Sequence, residues 1–172
     1  MGFMDAVKTC FAKFLTLQGR ASRPEYWWFF LFVILGGLVA QMIDGLIFGF
    51  ATEEEPGRHP ITLIFWFVTL FPALAAGWRR MHDTGRPGWF MILPTIIVLC
   101  AFAGLLLGVL GFGAIEAVGA DPVRLHPVAA VVGLTGLYVT YAVILVASIL
   151  KLWWLTRPGD TSDNHYGPVP TR

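Results

Sequence analysis

The sequence predicts an all-α fold: an integral membrane four-helix bundle with an N-terminal amphipathic interfacial helix and a short cytoplasmic C-terminal tail. Three observations carry that prediction. Four apolar segments, about 26–43, 61–78, 89–112 and 128–152, reach or nearly reach the length that crosses a ~30 Å hydrocarbon core. Apolar residues make up 56% of the 172 and charged residues 13%, too little charge to cover a water-soluble domain of this size. Of the 12 Lys/Arg residues, all but Arg58 and Arg124 fall beside one side of the segments, and by the positive-inside rule that side faces the cytoplasm. The chain reads as a single membrane domain, 1–172.

At the N-terminus, Phe3, Val7, Cys10, Phe11, Phe14 and Leu15 recur at helical spacing, with Asp5, Lys8, Thr9 and Lys13 in the gaps. The spacing predicts an amphipathic helix over 3–17, too short and too polar to span. It could lie on the interface with its lysines toward headgroups, or pack on the bundle's end. The first span opens on Tyr26, Trp27 and Trp28 and runs to Ile43, with Gln41 and Asp44 at its outer end. No A-x-A-like site follows this apolar core, so a retained anchor with the N-terminus inside is expected. Pro60 opens the second span, where a missing N–H costs nothing. The third span follows after a short connection, so the two should form an antiparallel hairpin. Trp153 and Trp154 close the fourth span, and 153–172 is the tail. Pro72 and Pro94 should kink their helices. Gly45-x-x-x-Gly49 and Gly104-x-x-x-Gly108 permit close helix contact.

The polar residues cluster on the basic side in three motifs. In the first, Gly19 to Trp28, Ser22 and Glu25 have capping-box spacing, Pro24 suits a first helical turn, and Arg20 and Arg23 can snorkel to headgroups. The second is Arg79-Arg80-Met81-His82-Asp83-Thr84-Gly85-Arg86-Pro87-Gly88-Trp89. If the second helix continues past Trp78, Arg79, His82, Asp83 and Arg86 share a stripe. Arginines there could chelate a phosphate or carboxylate. Equally, Arg79 or Arg80 could pair with Glu25 or Asp83 and tie helix ends together. A turn explains Gly85, Pro87 and Gly88, but not His82, which could hold Asp83 or Glu25 through one nitrogen and present the other. The third motif, Arg157 to Pro168, reads as a loop. Asn164 and Tyr166 in it indicate a tail folded back on the bundle, with Tyr166 packed near the second–third connection.

Asp44 is the acid nearest the apolar segments. It is either a membrane-embedded functional acid or a residue at the outer interface. Glu53, Glu54, Glu55 and His59 face Glu116, Asp121 and His126 across the outer side, without metal-ligand spacing. No metal site, cofactor or catalytic set is assigned. Cys10 and Cys100 should sit at different depths, so no disulfide is expected. No basic tract is long enough to grip nucleic acid. The expected partners are membrane lipids, with a protein partner or a second copy as alternatives.

Together the three motifs resemble an uncharacterised bacterial inner-membrane family, domain of unknown function 805 (YhaH-like). The matching residues are Gly19, Arg20, Ser22, Arg23, Glu25, Tyr26 and Trp27, then Arg79, Arg80, His82, Asp83, Thr84, Arg86 and Trp89. Pro158, Gly159, Asn164, Tyr166, Gly167 and Pro168 match in the tail, and Asp44 looks like the acid after the family's first span. The third-to-fourth-span region matches only in being apolar, and its connection is longer than in short members. The resemblance implies a multi-pass protein of the bacterial inner membrane and implies no activity.

From the residues themselves, the candidate ligand-binding set is Arg20, Arg23, Glu25, Arg79, Arg80, His82, Asp83, Arg86, Asn164 and Tyr166. The anticipated ligand is an anionic lipid headgroup or a partner's acidic segment. A small transporter or channel subunit is the alternative, with Thr69, Thr95, Thr135, Thr140, Tyr138 and Tyr141 as its polar interior. A membrane enzyme using His82 as base on a lipid-borne substrate is the second.

Overall fold

The computed structural model describes residues 1–50, 57–117 and 122–170, without the side chains of 116–126. The outer-side residues Glu53, Glu54, Glu55 and Asp121, and the side chains of Glu116 and His126, therefore lie outside the described residues. The described chain is helical: α1 (Phe3–Ala12), α2 (Arg23–Phe48), α3 (Pro60–Asp83), a 3-10 turn (Gly88–Met91), α4 (Leu93–Ala117) and α5 (Pro122–Thr156). Among these residues four helices are long and apolar enough to cross a membrane, Arg23–Phe48, Pro60–Asp83, Leu93–Ile115 and Pro127–Thr156. The first, second and fourth outrun the apolar segments read from sequence, whereas the third begins at Leu93 rather than at 89, behind the 3-10 turn. Two compact units are formed, Met1–Phe90 with Leu155–Arg172, and Met91–Trp154.

In the first unit α1 packs against α2. Phe11 meets Phe29 and Phe32 edge-on at centroid distances of 5.6 and 5.9 Å, and Phe3 meets Trp28 at 6.0 Å. The packed arrangement thus accounts for its apolar stripe, while Lys8 and Lys13 stay exposed. The helix stops at Ala12 rather than at 17. The Lys13 N–H closes the last turn on the Thr9 carbonyl, and Phe14, Leu15 and Leu17 follow it exposed. Gly19 then adopts φ 82°, a left-handed conformation open to glycine, which turns the chain into Arg20.

At the start of α2, Ser22 Oγ accepts from the Glu25 N–H at 3.4 Å. The reciprocal half of a capping box does not form, because the Glu25 carboxylate is engaged with Arg79. At the other end α2 continues through Asp44, which is therefore inside the helix and fully buried. Its two carboxylate oxygens accept from the N–H groups of Ile61 (3.0 Å) and Thr62 (2.8 Å). Those are first-turn donors of α3 that have no partner within their own helix. Asp44 is thus a cap supplied by the neighbouring helix, and its negative charge faces the positive end of the α3 dipole. It pins α2 to α3 at the end opposite the basic motifs.

Between those ends the close approach is made by Gly36 and Gly37, not by the two GxxxG pairs. A side chain at Gly36 would run into the Phe65 ring, and one at Gly37 would stand 3.1 Å from Trp66. Gly104 and Gly108 face open space. Pro72 lies inside α3, but Pro94 falls in the first turn of α4, where it starts the helix and does not kink it. Thr69, one of the polar interior candidates, donates its hydroxyl to the Phe65 carbonyl of its own helix at 2.8 Å.

In the second unit α4 is apolar on every side and leaves its large side chains exposed, as a lipid-facing helix does. A cleft of about 390 Å³ lies between α4 and α5, walled by Gly104, Gly108, Gly133, Gly136, Leu105 and Phe112.

Replacing Asp44 should loosen the end of the α2–α3 pair it caps. Asp44→Ala is expected to lower the thermal midpoint of the detergent-solubilised protein, and Asp44→Asn should retain part of the loss because an amide oxygen can still accept. An unchanged midpoint for the alanine variant would remove the cap from the stability account.

Candidate functional site

The basic end of the first unit is organised around one buried carboxylate. Asp83, the last residue of α3, accepts from two arginines at once. Arg20, from the α1–α2 connection, reaches Oδ1 with Nε at 3.0 Å and Nη2 at 2.9 Å. Arg80, one turn back on α3, pairs with Oδ2. All three side chains are nearly inaccessible to water. A carboxylate removed from water is tolerated only when its charge and lone pairs are met, and two guanidinium groups do both.

The arginines then hold the tail. Arg20 donates from Nη1 to the Ser162 carbonyl at 2.8 Å and, more weakly, to that of Gly167 at 3.4 Å. Its Nη2 donates to the Asp160 carbonyl at 2.6 Å. Arg80 donates through Nε to the Leu155 carbonyl at 3.1 Å and through Nη2 to that of Arg157. The Asp160 N–H returns a bond to the Asp83 carbonyl at 2.8 Å. Gly159 passes so close to the Asp83 carboxylate that any side chain there would collide with it. The planar fork of arginine suits this task, because its donors are fixed in direction and lysine could not serve three acceptors the same way.

Arg79 points elsewhere, to the buried Glu25 of α2, with Nη1 2.7 Å from Oε1. The Arg79 carbonyl accepts from the Ala21 N–H at 3.0 Å, so backbone and side chain both join α3 to the start of α2. Its Nε and Nη2 are buried without a hydrogen bond. Cys10 of α1 lies in the same region, its thiol 4.0 Å from the Glu25 carbonyl. Burial pushes that thiol up to about 12; Glu25 adds to the shift, while Arg79 and Lys13 oppose it. The sulfur therefore stays a protonated, unreactive thiol at every pH well below that value.

His82 does not bond Asp83 or Glu25. Its Nδ1 stands 3.0 Å from the Gly19 carbonyl, which requires the proton on Nδ1. Gly19 is exposed to the imidazole because the chain turns there. The ring stacks face to face on Tyr166, with centroids 3.9 Å apart and planes within 6°. Asn164 donates to the His82 carbonyl at 2.9 Å and to Asp160 Oδ2 at 2.8 Å, while its own Oδ1 accepts from the Tyr166 N–H at 2.9 Å. The tail is thus fastened to α3 by hydrogen bonds, those from Arg80 carrying its charge, and by a stacked ring pair.

Of the ten candidate residues, eight enter this network. Arg86 lies past the helix end, its N–H bonded to the Met81 carbonyl at 3.1 Å and its Nη1 making a long bond, 3.5 Å, to the Thr84 carbonyl. Its pKa is lowered by partial burial and by nearby Arg157, and is partly restored by Asp160. Arg23 differs from both groups. It is exposed and makes no hydrogen bond or ion pair with the described residues, although Arg20, Arg79 and Arg80 are all engaged.

Arg23 lines a groove of about 780 Å³ between α2 and the tail. One wall is a face of α2: Arg23, Trp27 and Leu31, flanked by Pro24 and Trp28. The other is the tail, at Pro158, Asp160, Thr161 and Val169. Arg23 to Leu31 covers about 12 Å of helix axis at 1.5 Å per residue, so a polar mouth grades into an apolar floor. Sequence reasoning omitted Asp160, Thr161 and the carbonyls that receive Arg20 and Arg80. The Pro-Gly pair at 158–159 marked only a loop, and a carbonyl carries no side-chain signal at all.

Four apolar helices and an ionic tie at the basic end define a multi-span helical membrane protein whose tail is part of its fold. The chain belongs to the family described as "Protein of unknown function (DUF805)", whose model matches residues 14–168. It is 30% identical over 90 residues to the inner membrane protein YhaH of Escherichia coli K12, covering 52% of this chain and 72% of that one. With the inner membrane protein YhaI of the same strain it shares 35% identity over 80 residues, 46% of this chain and 62% of that one. No solved structure matches.

Removing the central carboxylate should be costly. Asp83→Ala leaves Arg20 and Arg80 buried without a counter-charge and is expected to destabilise the fold by about 3–5 kcal/mol, read from denaturant titration of the purified protein. The same variant should release the tail to protease at 158–167. In a Cys100→Ser background, Cys10 should resist N-ethylmaleimide at pH 8 until the protein is denatured. Rapid labelling of the folded protein would show the α1 contact to be open.

Proposed function

We propose that this protein sits in the bacterial inner membrane with both termini cytoplasmic, and that it holds a phospholipid by its headgroup in the groove between α2 and the tail. In this reading the Arg20–Asp83–Arg80 cluster is scaffold and Arg23 is the binding cation. The observation that carries it is that Arg23 alone among the motif arginines of α2 and α3 stands exposed without an ionic partner among the described residues, at the polar mouth of a groove floored by Trp27, Trp28 and Leu31. An arginine donates well to phosphate, and tryptophans favour the headgroup level of a bilayer. The location is supported by the family's inner membrane proteins YhaH and YhaI, and the orientation by the distribution of basic residues. Neither nucleophile nor base is needed, and His82 spends one nitrogen on Gly19 and its ring face on Tyr166.

The test compares lipid retained by the wild type and by Arg23→Gln, purified in mild detergent and measured by native mass spectrometry per folded molecule. Retention should fall several-fold in the variant while the thermal midpoint stays put, since an exposed, unpaired side chain contributes little to the fold. Equal retention ends the proposal. For orientation, single cysteines at 84 and 163 should be shielded from an impermeant maleimide in intact cells, and one at 55 should react.

A further inference from the structure

Resting on that reading, we infer that the groove selects a phospholipid whose headgroup carries a primary ammonium, as phosphatidylethanolamine does. Every diacyl phosphodiester lipid presents the same phosphate, so Arg23 cannot by itself distinguish one from another. The alcohol esterified to the phosphate must be read by a second side chain at the groove mouth.

The structure supplies one there, Asp160. Its position is fixed from three sides: its N–H donates to the Asp83 carbonyl at 2.8 Å, its carbonyl accepts from Arg20 at 2.6 Å, and its Oδ2 accepts from Asn164 at 2.8 Å. Asp160 is exposed and lines the groove; its charge acts on Arg86, but it makes no ion pair with the described residues. Thr161 beside it adds an exposed hydroxyl to the same wall.

The surroundings make this carboxylate selective. Arg20, Arg80 and Arg23 outnumber Asp83, and Arg86 and Arg157 lie close by. Such a field attracts phosphate and repels a cationic headgroup. A lipid ammonium is tolerated only beside a negative charge, and Asp160 offers one with lone-pair capacity beyond the bond from Asn164. A choline headgroup, bulky and without N–H, can give Asp160 no hydrogen bond. A glycerol headgroup can give one, but without charge. The groove therefore pairs Arg23 with phosphate and Asp160 with ammonium, above the apolar floor of Trp27, Trp28 and Leu31 that receives the chains.

The experiment uses the full chain in nanodiscs of equimolar phosphatidylethanolamine, phosphatidylglycerol and phosphatidylcholine, followed by native mass spectrometry of the lipid that stays bound. The wild type should retain phosphatidylethanolamine enriched roughly fivefold over phosphatidylcholine, the size expected of a solvent-exposed charge pair. Asp160→Asn, which keeps the backbone bonds and an acceptor for Asn164, should bring that ratio near one without lowering total lipid. Arg23→Gln should lower all three lipids together. Wild-type preference for phosphatidylglycerol, or an unchanged ratio in Asp160→Asn, overturns the ammonium assignment while leaving the groove a lipid site. Unchanged total retention in Arg23→Gln overturns the lipid site itself. If Asp160→Asn folds poorly by thermal midpoint, Asp160→Glu replaces it: the preference should persist there, and its disappearance with total lipid intact also overturns the assignment.

Discussion

The constraint on which the rest of the first unit depends is the neutralisation of Asp83. A carboxylate at the end of a membrane helix, shielded from water, has to be met by cations that are themselves fully hydrogen-bonded. Arg80 comes from its own helix and Arg20 from the connection before α2, and each fork has donors left over. Those donors are what require the tail, because main-chain carbonyls of 155–167 are the acceptors that fill them. Gly159 is dictated by the same constraint, since the strap must cross directly over the carboxylate. The ion cluster is worth less as a source of stability than as a device that admits one arrangement of three chain segments.

The opposite end of α2 and α3 is held by the same chemistry in a simpler form. Asp44 answers two orphan N–H groups of α3, with backbone donors in place of a guanidinium. The helix pair is thus tied at both ends by an acid of one segment serving another, with Gly36 and Gly37 allowing close contact between. An acid beside a membrane span need not be a step on a transport path. Here its lone pairs are occupied by backbone.

Much of this was legible in the residues. The four spans come from apolar length, the Ser22 cap from its spacing to Glu25, and an ion pair of Glu25 with Arg79 or Arg80 from opposite charges at neighbouring helix ends, with the choice of Arg79 left to the structure. The approach of Tyr166 to the second motif was readable from an aromatic placed in an otherwise polar loop. Other features were not. The reach of α2 past Asp44 is hidden because Gln41 and Asp44 look like the outer end of a span, although Leu46, Ile47 and Phe48 beyond them are apolar. The Gly19 partner of His82 is a carbonyl, and carbonyls are the same in every residue. Which arginine stays unpaired depends on tertiary geometry, so the motif spacing left Arg20, Arg23 and Arg80 on equal standing. The paired glycines at 104 and 108 show the reverse error, a pattern present without a neighbour to receive it.

The strap over Asp83 also sets an order of events during synthesis. Residues 157–167 leave the ribosome only after all four apolar helices, so Arg20, Arg80 and Asp83 must wait in the nascent chain without most of the carbonyls that complete them. Translation that stops after α5 yields a protein with every membrane segment in place and a polar wound at its basic end. Such a product differs from the finished one by an accessible ionic cluster and not by a missing span. The closing of that cluster therefore distinguishes a chain that carries 157–167 from one that stops after α5.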